Sequence, residues 1–86
     1  MTALRFEVVV TLKPALLDPQ GKAVEGSVPA MGWTNVRDVR VGKVVELTVD
    51  APDEAAGRAQ VEDMAARLLS NPVIEDYRVL AVEEIA

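Results

Sequence analysis

The chain's 86 residues suffice for one domain with one modest core, and 50% of them are apolar. Nine Lys and Arg against fourteen Asp and Glu give a net charge of −5, which disfavours nucleic acid and anionic membrane as partners. With no Cys and no His, a Ser-His-Asp or Cys-His site is excluded, and any metal site would rest on carboxylates alone.

Only Phe6, Trp33 and Tyr77 are aromatic, so the core must be built from aliphatic side chains. So small a core favours burial against a second copy or another protein. The N-terminus lacks signal-peptide order, and no apolar run reaches the ~18 residues that cross a bilayer. The expected location is the cytoplasm.

Residues 4–13, LRFEVVVTLK, alternate. Leu4, Phe6, Val8, Val10 and Leu12 share a core face, and Arg5, Glu7, Val9, Thr11 and Lys13 share the other. Pro14 closes this strand. Asp18-Pro19 then reads as a helix start, a side-chain cap followed by a residue with helical φ. Val24, Val28 and Met31 recur at helical spacing, but Pro29 predicts a kink or an early end, and Gly32 stops the helix. Trp33 just beyond either packs under the helix end, the more frequent outcome, or anchors a partner.

Residues 36–50, VRDVRVGKVVELTVD, read as a pair of strands or one long strand interrupted at Gly42-Lys43. A two-residue hairpin there would split the apolar set Val39, Val41, Val45, Leu47 and Val49 between faces. A three-residue loop over 42–44 pairs Val41 with Val45, Val39 with Leu47 and Arg40 with Glu46. A continuous strand also keeps the odd residues on one face, so Gly42-Lys43 is either a turn or an opened hinge for segment swapping. It is not a P-loop: position 37 is Arg, position 44 is Val, and no helix follows. Arg37, Arg40 and Lys43 form a basic strip that would suit an anion or an acidic surface.

Pro52, Asp53 and Glu54 suit the first turn of a second helix. Its buried stripe is Val61, Met64, Ala65, Leu68 and Leu69, and Asn71-Pro72 ends it. In the last strand, VIEDYRVLAVEE, Tyr77, Val79 and Ala81 point one way and Leu80 and Val82 the other. The order predicts a single α+β domain over residues 1–86, a ferredoxin-like βαββαβ two-layer sandwich with both helices on one face of an antiparallel sheet. Val9, Val44, Leu80 and Val82 would then make an apolar patch on the open sheet face, covered by a second copy in a sheet-to-sheet dimer.

Three blocks, VTLKPALLDPQGKAVEG (10–26), GWTNVRDVRVGKVVEL (32–47) and LLSNPVIEDYRV (68–79), together resemble the PurS subunit family of phosphoribosylformylglycinamidine synthase. The resemblance implies a non-catalytic small subunit of purine biosynthesis, a segment-swapped dimer, or a tetramer, with its hinge near Gly42-Lys43. It implies partners of synthetase (PurL) and glutaminase (PurQ) type, bridged so that ammonia passes between them as formylglycinamide ribonucleotide becomes formylglycinamidine ribonucleotide. ATP, magnesium and glutamine would be used on those subunits, with no cofactor, metal or catalytic residue here. The motifs place interface or hinge positions at Lys13, Pro14, Asp18, Pro19, Gly21, Arg40, Gly42, Lys43, Asn71, Pro72 and Tyr77. Pro29 departs from the family's unbroken helical run at this point. The alternative is a stand-alone ACT-like dimeric domain that senses a small molecule, since fold order alone does not separate the two.

Overall fold

The computed structural model describes residues 1–85. In chain order it contains β1 (Thr2–Leu12), α1 (Pro19–Ser27), β2 (Lys43–Ala51), α2 (Glu54–Met64) and β3 (Glu75–Ile85). A 3-10 turn, Pro29–Met31, follows α1, and a π-helical turn, Ala65–Leu69, extends α2. The sheet is antiparallel in the order β2-β1-β3.

β1 is the central strand, and its alternation is as the sequence predicts: Leu4, Phe6, Val8 and Val10 are buried. β2 sets Val49, Leu47 and Val45 opposite Leu4, Phe6 and Val8, which completes the core face. α2 covers this face with Val61 and Ala65. Gly57 lets the helix approach closely, since a Cβ there would lie 2.9 Å from Leu4 Cδ1 and 3.3 Å from Phe6 Cζ. Each fully buried side chain among Phe6, Val8, Val10 and Val61 contributes about 1.5–3 kcal/mol. Asp53 caps α2 by accepting the Ala56 N–H at 2.8 Å.

The α+β class stands, with four corrections to the sequence reading. First, the sheet has three strands within the chain, because residues 33–42 run without a ladder and β2 begins only at Lys43. Neither the 42–44 hairpin nor the Arg40–Glu46 pair forms, and Glu46 instead meets Arg5. Second, only α2 packs on the sheet; α1 stands off it with Val24, Met31 and Trp33 exposed. Trp33 therefore does not pack under the helix end. Third, Leu68 is exposed because the wider π turn, closed by Ser70 N–H to the Ala65 carbonyl at 3.0 Å, carries it off the buried stripe. Fourth, β3 contains a bulge. Val8 pairs with Val79 and Glu7 with Ala81, so Leu80 has no partner and the phase shifts. Val82 thus lies opposite Phe6 and packs on the core, not on the open face. The side chain of Ala81 lies outside the described part.

The Cα radius of gyration is 16.4 Å, against about 12 Å for a compact chain of this length. An arm, residues 14–42, leaves the sheet after β1 and returns at β2. Pro29 ends α1 early, as expected, and Gly32 closes the following turn at φ 103°.

Candidate functional site

The arm's two ends meet. Asp18 is buried and caps α1, with one carboxylate oxygen accepting the Gly21 N–H at 2.9 Å. The other oxygen accepts the Val41 N–H at 2.7 Å. Pro19 supplies the pre-set first helical residue. Gly21 has no Cβ for a separate reason: one would lie 2.3 Å from the Val39 carbonyl oxygen. The D-P-x-G run is therefore a cap, a helix start and a seat for the returning chain at Val39 and Val41.

The V-R-x-G-K run is the returning chain. Glu25 accepts the Val39 N–H at 3.0 Å. The Arg40 guanidinium donates to the carbonyls of Leu16 at 3.1 Å, Lys13 at 2.8 Å and Leu12 at 3.3 Å. Gly42 crosses β1 so closely that a Cβ would sit 2.4 Å from the Val10 carbonyl oxygen. Lys43 then pairs with Val10 and opens β2.

The N–H groups of Gly21 and Val41 hold the Asp18 carboxyl below its usual range, against the burial that raises it, and the Arg40 charge assists. The Val39 N–H, then the Lys22 charge, do the same for Glu25. Asp38 adopts φ 59°, a left-handed turn within the returning segment that the sequence gives no sign of beyond its residue type. Within the basic strip, Arg40 is engaged with three carbonyls and Arg37 lies against Asp38.

The third motif serves the opposite side of β1. Asn71 closes an Asx turn onto the Val73 N–H at 3.1 Å across Pro72, and its own N–H goes to Glu75 at 2.7 Å. Lys13 meets Asp76 at 2.9 Å, tying the end of β1 to β3. Tyr77 packs against the core, and burial followed by the Glu62 charge raises its pKa. On the open face Val9 pairs with an exposed Val44, and Leu80 is exposed at the bulge. Among the described residues, no group of three or more His, Cys, Asp or Glu could hold a metal ion. No helix there is long and apolar enough to cross a membrane.

A family model described as PurS: Phosphoribosylformylglycinamidine (FGAM) synthase matches residues 5–83. The chain belongs to the PurS family. The phosphoribosylformylglycinamidine synthase subunit PurS of Bacillus subtilis is 43% identical over 82 residues, 95% of this chain and 96% of that one. The solved PurS of Thermus thermophilus superposes with a TM-score of 0.88 at 38% identity, covering 98% of this chain and 99% of its own. A chain from the PurLQS structure of Thermotoga maritima gives a TM-score of 0.83 at 28% identity, covering 99% of this chain and all (100%) of its own. The extended arm is thus set in a PurS fold; the first two motifs read from the sequence build and anchor it, and the third ties β1 to β3.

Proposed function

We propose that this chain is the small, non-catalytic subunit of phosphoribosylformylglycinamidine synthase and that it acts in the cytoplasm as a dimer. The dimer bridges an ATP-dependent synthetase subunit and a glutaminase subunit and supports ammonia transfer between them. ATP, magnesium and glutamine act on those partners. The observation that carries this reading is similarity over 99% of this chain and 100% of a chain of a PurLQS structure. No observation favours the stand-alone sensing alternative.

The dimer exchanges its arms. An arm that leaves Val24, Met31 and Trp33 exposed, with an extended but unpaired segment before Gly42, supports this reading. The apolar face of α1 would cover a neighbouring copy, and residues 36–42 would extend its sheet. Val9, Val44 and Leu80 are the remaining candidates for a sheet-to-sheet contact.

Reconstitution tests the function. Synthetase and glutaminase subunits are assayed for glutamine-dependent synthesis with and without this chain. Synthesis should require it, while the chain alone is inactive. Full glutamine-dependent activity without it would sink the reading.

A further inference from the structure

An extended segment points its backbone groups to alternate edges, so residues two apart share an edge. Val39 and Val41 are such a pair, and both face α1. Their N–H groups donate to Glu25 at 3.0 Å and to Asp18 at 2.7 Å, and the Val39 carbonyl lies over Gly21. Two side-chain carboxylates thus occupy the place of a neighbouring strand. The opposite edge carries the backbone groups of Arg40, between the left-handed turn at Asp38 and the crossing at Gly42, while the Arg40 side chain reaches back to the carbonyls of Leu12, Lys13 and Leu16.

These contacts join the two ends of an arm whose helix α1 stands off the sheet. Hydrogen bonds to charged groups are roughly twice as strong as neutral ones. Their effect here is to remove the arm's internal freedom before it meets anything, and ordering cost avoided in advance appears as affinity.

We propose that Asp18, Glu25 and Arg40 form a latch that makes residues 14–42 one preformed body, seated on the end of β1 through Arg40 and offering a strand edge to a second copy. The latch rests on the arm-exchange reading above. It differs from an ordinary helix cap because Asp18 has two jobs, one per oxygen.

That division gives a clean test. Asn caps a helix as well as Asp does, so Asp18→Asn retains the Gly21 contact and sets an NH2 against the Val41 N–H. Glu25→Ala removes the acceptor of Val39. Backbone amide exchange is followed in the wild type and in both variants, together with the dimer dissociation constant from sedimentation. The expected result is exchange faster by about tenfold or more at Val41 in Asp18→Asn and at Val39 in Glu25→Ala. The β1 amides should stay unchanged, and the dimer should weaken by a similar factor. Wild-type exchange at both positions in the variants would overturn the latch, and so would faster exchange with an unchanged dimer constant. A wild-type chain that stays monomeric would instead remove the arm-exchange reading. Protected amides at Val39 and Val41 in that monomer would still establish the latch, and unprotected ones would end it.

Discussion

Gly42 lies against the carbonyl of Val10, where a Cβ would stand 2.4 Å from the oxygen and 2.7 Å from Thr11 Cγ2. The first obstacle is backbone and cannot rotate away. Gly42→Val should therefore displace the crossing where the arm rejoins the sheet, at a cost of about 1–3 kcal/mol. Thermal melting reads the loss, and sedimentation reads the accompanying change in association. A variant with native melting and native association would show that the crossing tolerates a side chain.

Gly57 has the opposite balance. It sits in α2, where Ala is preferred to Gly by about 1 kcal/mol. An added Cβ would meet Leu4 Cδ1 at 2.9 Å, a side-chain tip rather than backbone. Gly57→Ala should be close to neutral, whereas Gly57→Val should cost about 1–3 kcal/mol by forcing α2 away from Phe6. Denaturant unfolding of the two variants separates the effects. Equal destabilisation by Ala and Val would mean that Leu4 cannot yield.

The residues that were legible in the sequence are those whose environment is local. Leu4, Phe6, Val8 and Val10 announce their face by alternation, and Asp18-Pro19 announces a helix start. Two features of regular structure had no such signature. The bulge at Leu80 carries neither Gly nor Pro, so counting by twos misplaced Val82. The π turn over Ala65–Leu69 is a one-residue change of pitch in a good helical sequence, and it exposed Leu68. The apolar face of α1 was visible, but periodicity states only that a face wants cover, not which molecule covers it. The double duty of Asp18 was also out of reach, because Val41 comes 23 residues later and its N–H has no side-chain signal.

Acid should loosen the arm. Backbone donors hold Asp18 and Glu25 below the ordinary carboxylate value, so the folded protein binds fewer protons than the unfolded chain. Their contribution is complete above the unfolded pKa of about 4 and is lost as pH falls through the lower folded values. Melting curves from pH 6 down to pH 3 should fall more steeply for the wild type than for Asp18→Asn. Parallel curves would mean that the Asp18 charge, held by the Gly21 and Val41 N–H groups, contributes nothing to folding.

Trp33 is the sole tryptophan, 57% exposed beside an exposed Met31 and Val24. In a monomer its indole meets water; in an arm-exchanged dimer the face of α1 that it extends is covered. Its emission should move to shorter wavelength as concentration rises through the dimer constant measured by sedimentation. Aromatic anchors commonly dominate interfaces, so Trp33→Ala should weaken the dimer by about 2 kcal/mol or more, while the core built on Phe6 and Val61 keeps its melting behaviour at low concentration. Constant emission across a range where sedimentation shows the dimer forming would place the α1 face outside the interface and leave Val9, Val44 and Leu80 as the surface that joins the copies.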